Sequence, residues 1–372
     1  MPVHQNLLFG NPQDARAIAR GILGLVACAA CGFVFNGMFD EASVTYGERY
    51  ESLQDCSPLF AQHVERLAGS IARDLGPNAR IVEIGCGRGS FLRRILHNAE
   101  SASAIGYDRS YTGPADECGG RLHFERRFFD ETATPGPVDA VICRHVIEHV
   151  ARPVELLRTL RRVLEESPAA RIYFETPCIE WILRNQVLWD VFYEHCSYFR
   201  PASLAYAFER AGFSPRRIRH VFSGQYLWLE ASPRVQAPAQ VADASLPKPA
   251  PGAGDVAKLA AGFARAYNAL IERWCDKLSA MRGRGKVALW GAGAKGVTLA
   301  NLVDPGCELL DCLIDMNPTK QGKFVPGTGH AICDPITAAA RGIRAALVMN
   351  PNYLQENEEF VASAGLPIEL TA

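Results

Sequence analysis

The chain has 372 residues, of which 48% are hydrophobic and 21% are charged. Domains of about 100–200 residues are usual, so this length predicts two or three domains. Lys and Arg number 39 against 40 Asp and Glu, and this near balance disfavours nucleic acid as a partner. No apolar run approaches the roughly 18 residues that span a bilayer, and the N-terminus lacks a signal-sequence pattern. The sequence therefore predicts a cytoplasmic protein with no membrane partner and leaves its oligomeric state open.

Twelve cysteines are scattered singly along the chain, except for Cys28 and Cys31. Disulfide frameworks belong to short secreted chains with dense cysteines, so we expect reduced thiols here. A structural zinc ion needs four ligands, commonly two C-x-x-C pairs. Only one such pair is present, and His4, Cys56 and His63 are the candidates to complete the set. The sequence therefore favours a metal-free knuckle over bound zinc.

The order of predicted elements indicates an α/β protein. Residues 1–65 read as short segments and are predicted to form a small N-terminal piece. Further along, strands are predicted at 81–84, 104–107, 138–143 and 171–174, and helices at 90–97 and 153–164. Such alternation predicts βαβ units around a mostly parallel sheet, in a first α/β domain at 66–231.

A second α/β unit is predicted after a linker. Residues 232–254 are rich in Pro and Ala and lack aromatic residues, which is typical of an exposed linker. A helix at 256–281 with apolar residues at helical spacing leads into a strand at 286–290, a helix at 297–302 and a strand at 309–314. We therefore expect a helix and a second Rossmann-like domain at 255–372.

A glycine-rich loop joins the first predicted strand to its helix. Residues 83–91 read E-I-G-C-G-R-G-S-F. Glycines allow a sharp turn and a close approach to a ligand, and a helix N-terminus offers unpaired N–H groups. Asp108 ends the next predicted strand, where a carboxylate can accept hydrogen bonds from both hydroxyls of a ribose.

This loop resembles the first motif, (E/D)-x-G-x-G-x-G, of the class I S-adenosylmethionine-dependent methyltransferases. The resemblance implies a Rossmann-like domain that binds S-adenosylmethionine and releases S-adenosylhomocysteine. It also implies that the loop passes the amino-acid part of the cofactor and that Asp108 holds its ribose. The cofactor-binding residues predicted in this way are Glu83, Gly85, Cys86, Gly87, Gly89, Phe91, Asp108, Phe128, Phe129, Arg144 and His145.

The segment at 145–149 reads H-V-I-E-H, which matches the inverted zinc-peptidase pattern H-x-x-E-H. That chemistry needs both histidines on one exposed helix face, whereas this segment follows a predicted strand. We therefore interpret His145 as a residue that faces the cofactor and His149 as a structural residue.

Aromatic and titratable side chains cluster at 189–199, which read W-D-V-F-Y-E-H-C-S-Y-F. Such a cluster suits proton abstraction beside a shielded methyl donor, and histidine is the natural base because its pKa is near neutrality. This segment, with the sequences at 291–296 and 317–322, resembles the bacterial sugar C-methyltransferases. Those proteins have an N-terminal zinc-binding piece, a central methyltransferase domain and a C-terminal Rossmann-like domain.

The resemblance implies C-methylation of a small-molecule acceptor, a nucleotide-linked 4-keto deoxysugar or a related secondary metabolite. A base removes the proton beside the ketone, and the enolate attacks the sulfonium methyl group. His195 is then the base, Glu194 orients it, and Tyr193 or Tyr198 donates to the enolate oxygen. Other residues implied to contact the substrate are the lid tyrosines Tyr46 and Tyr50.

The second glycine loop, G-A-G-A-K-G at 291–296, has the dinucleotide spacing, and Asp315 lies further along the chain. Alone it indicates an NAD-dependent oxidoreductase, whereas beside the first loop it favours binding of the substrate's diphosphate. The predicted contacts are Gly291, Gly293, Lys295 and Asn350. An O- or N-methyltransferase of a natural product, a silent binding protein and a domain that only packs are the remaining alternatives.

Overall fold

The computed structural model describes residues 1–47, 49–51, 56–133, 136–234 and 252–372. Its N-terminal segment contains helix α1 (Pro12–Arg16) and a hairpin of strands β1 (Leu25–Ala27) and β2 (Val34–Asn36). Cys28 and Cys31 lie in the turn of this hairpin, which the Cys28 N–H closes by donating to the Phe33 carbonyl at 2.7 Å. No helix in the described part of the chain has both the length and the apolar character needed to cross a membrane.

The first α/β domain is built on an eight-stranded sheet. Its helices are α2 (Pro58–Asp74), α3 (Ser90–Asn98), α4 (Pro153–Val163), α5 (Ile179–Arg184) and α6 (Pro201–Arg210). Its strands are β3 (Arg80–Ile84), β4 (Ser103–Tyr107), β5 (Asp116–Glu117), β6 (Leu122–Glu125), β7 (Ala140–Arg144), β8 (Arg171–Pro177), β10 (Phe213–Val221) and β11 (Tyr226–Pro233), with the short β9 (Ser197–Tyr198) outside the sheet. The strand order is β10-β11-β8-β7-β3-β4-β6-β5, parallel in the centre and antiparallel at both edges.

Apolar residues cover both faces of this sheet. Helix α2 buries residues spaced by three and four positions, including Phe60, Val64 and Leu67, as an amphipathic helix does. Helices α2 and α3 contribute to the core on one face, and α4 and α6 contribute to the core on the other. The central strands β3 and β7 are mostly apolar and are buried over most of their length because both faces are covered. The carboxyl ends of β3, β4 and β7 are therefore held rigidly.

The C-terminal domain is a five-stranded parallel sheet behind a long helix. Its elements are α7 (Ala253–Arg282), β12 (Lys286–Trp290), α8 (Ala294–Val303), β13 (Cys312–Ile314), β14 (Ile332–Cys333), α9 (Pro335–Ala340), β15 (Ile343–Val348), α10 (Leu354–Ser363) and β16 (Glu369–Thr371). The strand order is β14-β13-β12-β15-β16. The predicted helix at 256–281 is confirmed within α7. Most of the predicted linker, residues 235–251, lies outside the described residues, and its first residues, Ser232 and Pro233, close strand β11.

The N-terminal segment packs against both domains. Strand β2 pairs with β9, which lies inside the segment at 189–199. The Arg20 guanidinium donates to the Gly327 carbonyl at 3.0 Å, and the Arg16 guanidinium donates to the Thr328 carbonyl at 2.9 Å. This segment therefore ties the C-terminal domain to the first domain beside residues 189–199.

Candidate functional site

A cavity of about 810 Å³ is lined by the N-terminal segment and by both α/β domains. Both glycine loops reach it. The lining includes most of the residues selected from the sequence, namely Tyr46, Tyr50, Glu83, Gly85, Cys86, Gly87, Phe91, Asp108, Phe128, Phe129, Arg144, His145, His195, Gly291, Gly293, Lys295 and Asn350. The structure thus brings the two predicted ligand loops and the predicted base to one space.

The first glycine loop needs its glycines for different reasons. Gly85, Gly87 and Gly89 all have positive φ, at 71°, 55° and 75°. A Cβ on Gly85 would lie 2.2 Å from Val146, and one on Gly89 would lie 2.3 Å from Phe124. A Cβ on Gly87 would meet no heavy atom of the described chain within 4 Å. Gly85 and Gly89 therefore serve packing, whereas Gly87 presents open backbone to the cavity.

Asp108 follows β4 and is fixed at the cavity by the glycine loop itself. Its Oδ2 accepts the Gly87 N–H at 2.8 Å, and its Oδ1 accepts the N–H and hydroxyl of Ser110 at 2.7 and 2.6 Å. A carboxylate offers about four acceptor positions. Three are in use, which leaves about one position for a ribose hydroxyl instead of the two that the sequence predicted.

A buried carboxyl and a buried guanidinium lie at the base of this loop. Burial raises the pKa of Glu83 to about 8, although Arg144 opposes the shift. Arg144 donates through Nε to Glu175 at 2.8 Å, and its guanidinium lies 4.3 Å from the centre of the Phe91 ring. Glu83 Oε2 and Arg144 Nη2 have no hydrogen-bond partner among the described residues. One acceptor and one donor are therefore available to a ligand.

His145 has a strained backbone, with a φ of 54°, at the end of β7. Burial alone would lower its pKa, but the carboxylates of Glu148 and Glu175 raise it to about 9. Its Nδ1 lies 3.4 Å from Glu148 Oε1, and its Nε2 lies 3.5 Å from Glu175 Oε2. His145 is therefore a cation that faces the cavity, as the resemblance led us to expect for its position.

His149, which the sequence led us to interpret as a structural residue, lines the cavity. Its Nδ1 lies 2.9 Å from the Tyr46 hydroxyl, and its ring centre lies 4.7 Å from that of His195. Residues Ile147–His149 form a single short 3₁₀ turn. They do not form the helix that an H-x-x-E-H peptidase needs.

His195 lies at the cavity wall and is 9% exposed. Burial lowers its pKa well below the usual value, and the electrostatic effect of the neighbouring cations His145 and Lys295 acts in the same direction. Its ring centre lies 3.9 Å from that of Phe192. The imidazole is therefore held neutral at the site.

The predicted partner of His195 is bound elsewhere. Glu194 is fully buried, and its carboxylate accepts hydrogen bonds from His4 Nδ1 at 2.9 Å and from the Gln5 N–H at 2.8 Å. It does not line the cavity in the described part of the chain. The structure therefore corrects the prediction that Glu194 orients His195.

The phenols of Tyr193 and Tyr198 are also placed away from the cavity. The Tyr193 hydroxyl accepts the Asp40 N–H at 2.9 Å. The Tyr198 hydroxyl lies 3.2 Å from both the N–H and the carbonyl of Phe192. Neither residue is part of the described lining. The lid tyrosines Tyr46 and Tyr50 line the cavity, as do Tyr107, Tyr226 and Tyr353.

The second glycine loop repeats the arrangement of the first. Asp315 Oδ2 accepts the Ala292 N–H at 2.8 Å, and its Oδ1 accepts the Asn317 N–H at 2.8 Å. Helix α8 begins directly after Gly293. Lys295 is the second residue of α8, and its Nζ lies 2.5 Å from Asp190 Oδ2. The loop thus presents backbone N–H groups and an ion-paired lysine to the cavity.

The candidate zinc ligands His4 and His63 have other partners and do not join Cys28 and Cys31. Both ring nitrogens of His4 are engaged, by Glu194 and by the Thr45 N–H at 2.9 Å. His63 Nε2 lies 2.7 Å from Glu175 Oε1. Across the described ranges, Cys28 and Cys31 belong to no group of three side chains of metal-ligand type. The structure therefore leaves only the C-x-x-C pair itself.

Several lining residues escaped the sequence reasoning. They are Glu148, Asp190, Gln225, Asn317 and Lys320. Glu148 lies in the segment at 145–149 and Asp190 in the segment at 189–199. The sequence analysis selected both segments but assigned function to other residues within them. Gln225 hydrogen bonds to Asn350 at 2.9 Å, and this contact between domains has no local sequence signature.

Comparison with known proteins gives two family matches. Residues 54–217 match a family described as "Methyltransferase domain", and residues 250–363 match one described as "C-methyltransferase C-terminal domain". The second glycine loop lies inside the latter domain, so the NAD-dependent oxidoreductase considered from the sequence gains no support from it.

Individual proteins are similar to the chain over different lengths. C-methyltransferase NovU of Streptomyces niveus is 26% identical over 380 residues, which cover 98% of this chain and 89% of that protein. Ubiquinone biosynthesis O-methyltransferase of Ralstonia nicotianae is 22% identical over 186 residues, which cover 46% of this chain and 75% of that protein. The solved structure of Burkholderia thailandensis 1,6-didemethyltoxoflavin-N1-methyltransferase matches 48% of this chain and 81% of that chain, with a TM-score of 0.37 and 18% identity.

Three observations support the same assignment of the chain. They are the first glycine-loop motif, the α/β domain that carries it and the two family matches. The glycine loop with positive φ values and the acid that it fixes belong to the matched methyltransferase domain. The C-terminal domain has its own family match over nearly its whole length. The chain is therefore an S-adenosylmethionine-dependent methyltransferase, in which a methyltransferase domain is followed by a C-methyltransferase C-terminal domain.

Proposed function

We propose that this methyltransferase methylates a carbon atom of a small-molecule acceptor and that His195 removes the proton from that carbon. The observation that supports the proposal is a neutral imidazole at the wall of a cavity shared by both glycine loops. A carbon acceptor must lose a proton to become a nucleophile, so it needs a base, whereas a hydroxyl or amine acceptor can need only positioning.

The free groups at the first loop fit the amino-acid end of S-adenosylmethionine. Glu83 Oε2 is an unpaired buried acceptor, and Arg144 Nη2 is an unpaired buried donor, within the described residues. We assign Glu83 to the ammonium group, whose positive charge would favour the ionised form of this carboxyl, and Arg144 to the carboxylate group, which has the opposite charge. S-adenosylmethionine, when bound, supplies an electrophilic methyl group on its sulfonium sulfur.

Asp108 and Phe128 are assigned to the nucleoside. Asp108 retains about one acceptor position for a ribose hydroxyl. Phe128 is 54% exposed in the cavity wall, with the Arg109 guanidinium 5.5 Å from its ring centre. An exposed aromatic face of this kind suits stacking on a purine.

The acceptor end of the cavity is assigned to His195 and the lid tyrosines. Burial raises the pKa of Tyr46 and of Tyr50 well above the usual value, so both phenols stay protonated. A protonated phenol can donate a hydrogen bond to an enolate oxygen, the role that the sequence first suggested for Tyr193 and Tyr198. We therefore transfer that role to Tyr46 and Tyr50.

The second glycine loop is assigned to an anionic part of the acceptor. Backbone N–H groups at the start of α8 favour negative charge, and Lys295 and Lys320 both line the cavity beside them. The negatively charged phosphates of a nucleotide-linked sugar suit these N–H groups and lysines. The proposed acceptor is therefore a nucleoside-diphosphate-linked keto sugar or a metabolite of similar charge.

Solvent exchange tests the base directly. The protein with S-adenosylhomocysteine and a nucleoside-diphosphate-linked 4-keto deoxysugar in D₂O should catalyse deuterium incorporation beside the ketone. We expect His195→Ala to lower both this exchange and methyl transfer by at least about 100-fold, while His220→Ala at an exposed position leaves both unchanged.

Three results discriminate between the alternatives. Methyl transfer that survives in His195→Ala would favour oxygen or nitrogen as the acceptor atom. Binding of NADH without binding of S-adenosylhomocysteine in calorimetry would overturn the methyltransferase assignment of the site. Bound S-adenosylhomocysteine without turnover of carbon, oxygen or nitrogen acceptors would favour a binding protein.

A further inference from the structure

Three side chains of metal-ligand type converge on the cavity. One donor atom from each of Glu148, His149 and His195 lies within 4.8 Å of the other two. Ligand atoms around tetrahedral zinc lie about 3.4 Å apart, as follows from metal–ligand bonds of about 2.1 Å. The donor atoms would therefore have to approach one another by up to about 1.4 Å to hold one zinc ion.

Two of the three residues have a buried polar atom without a hydrogen bond, and one of these atoms, Glu148 Oε1, has the His145 cation 3.4 Å away as its nearest charge. Glu148 Oε1 and His195 Nδ1 have no hydrogen-bond partner from the described part of the chain. Glu148 is 1% exposed, and His195 is 9% exposed. A buried polar atom without a partner destabilises the folded protein. Two such atoms facing one cavity indicate that this place takes a ligand.

The other atoms of the cluster are already held in place. The Tyr46 hydroxyl contacts His149 Nδ1 at 2.9 Å, which leaves His149 Nε2 for a ligand. The Thr176 hydroxyl donates to Glu148 Oε2 at 3.0 Å, which leaves Oε1. Hydrogen bonds of this kind orient metal ligands in proteins and fix the histidine tautomer.

The donor set selects the kind of ion. Two imidazoles and one carboxylate suit zinc and other first-row transition ions, whereas Mg²⁺ and Ca²⁺ prefer oxygen ligands. The nearest competing cation is His145, whose Nδ1 lies 3.4 Å from Glu148 Oε1. Glu175 partly compensates its charge, with Oε2 at 3.5 Å from His145 Nε2.

We propose that Glu148, His149 and His195 bind one divalent transition-metal ion, of which Zn²⁺ is the representative, at the acceptor end of the cavity. Binding is a property of the protein alone and does not depend on the methylation proposal. If His195 is the base, the metal-bound form is inactive in methyl transfer, because one lone pair cannot hold a metal ion and accept a proton.

Zn²⁺ titrated calorimetrically into the full chain, freed of metal by a chelator, tests the proposal. We expect one ion per chain, and we expect His149→Ala and Glu148→Gln each to weaken binding by at least about 10-fold. The Cys28→Ser/Cys31→Ser variant is the matched control, because the C-x-x-C pair is the competing zinc-type site. The double-cysteine variant should bind Zn²⁺ with the affinity of the unaltered protein. Mg²⁺ should bind neither to this variant nor to the unaltered protein.

Cobalt absorption distinguishes the two sites without relying on a buried substitution. Co²⁺ at the Glu148, His149 and His195 site gives d–d bands with no thiolate-to-cobalt charge-transfer band, whereas Co²⁺ at Cys28 and Cys31 gives that band. Zn²⁺ binding that is lost in the double-cysteine variant would overturn the proposal. So would unchanged binding in His149→Ala, or a thiolate band from the only bound cobalt ion.

Discussion

His4 and Glu194 are joined by a hydrogen bond of 2.9 Å across 190 positions of the chain. His4 Nε2 accepts the Thr45 N–H, so the ring proton lies on Nδ1 and is donated to the buried carboxylate of Glu194. The N-terminal segment therefore supplies the partner of a carboxylate that sits directly before the candidate base. We expect His4→Ala to lower the free energy of unfolding by about 2–4 kcal/mol, since it leaves a buried charge with one partner fewer.

Urea denaturation measures this change, and His123→Ala is its matched control. His123 Nδ1 also lies 2.8 Å from a carboxylate, that of Asp116, but the two side chains are 43% and 67% exposed. Exposed pairs contribute at most about 1 kcal/mol. Equal losses in the two variants would show that burial of the His4 pair is not what stabilises it.

Glu83 should make stability depend on pH. The pKa of Glu83 is about 8 in the folded protein, against a usual value of 4.5. Between these values the unfolded chain has released the proton that the folded chain retains, so stability falls as pH rises. We expect the free energy of unfolding of the unaltered protein to fall by about 2–5 kcal/mol between pH 4.5 and 8, relative to that of Glu83→Gln. Urea denaturation of both proteins across this range checks the prediction, and a constant difference would contradict it.

Gly85→Ala and Gly87→Ala should separate packing from ligand approach. A Cβ at Gly85 clashes with Val146, whereas one at Gly87 enters open cavity. Both positions have positive φ, which costs an alanine about 1–2 kcal/mol. We expect Gly85→Ala to be the less stable protein in thermal denaturation, and Gly87→Ala to remain folded with S-adenosylhomocysteine affinity lowered by at least about 10-fold. Full affinity in Gly87→Ala would show that the ligand does not approach this loop.

Arg144→Lys should weaken cofactor binding. Arg144 donates to Glu175 through Nε, and its planar guanidinium leaves Nη2 available to a ligand. A lysine keeps the positive charge but cannot make both contacts. We expect the dissociation constant of S-adenosylhomocysteine to rise about 10- to 100-fold, measured by calorimetry. Arg152→Lys, at a side chain that is 76% exposed, is the control. An unchanged constant in Arg144→Lys would remove Arg144 from the cofactor site.

Lys295→Met should affect the acceptor and not the cofactor. Lys295 is paired with Asp190 and lies beside the second glycine loop. We expect the KM of a nucleoside-diphosphate-linked acceptor to rise about 10- to 100-fold, the loss of one charged contact. The affinity for S-adenosylhomocysteine should stay within about two-fold. Lys258→Met, at an exposed position of α7, is the control. If the C-terminal domain only packs against the first, KM will not change.

The sequence alone determined the features that depend on local chain geometry. Alternating strands and helices, the two glycine loops and the position of Asp108 after β4 all follow from spacing and from backbone rules. Because those rules act over a few residues, the elements that they specify can be predicted without knowledge of tertiary contacts. The predicted helix at 256–281 and the strand before each glycine loop agree with the structure for this reason.

The tertiary structure decided which side chains meet. The tripeptide Tyr193-Glu194-His195 reads as one functional group, but the His195 N–H closes a turn onto Phe192 at 3.2 Å and sends the three side chains in different directions. Only His195 reaches the cavity, and Glu194 turns to His4. His4 and Glu194 are far apart in the sequence, and they meet because of the way in which whole elements pack. The order of residues within the tripeptide does not determine that packing.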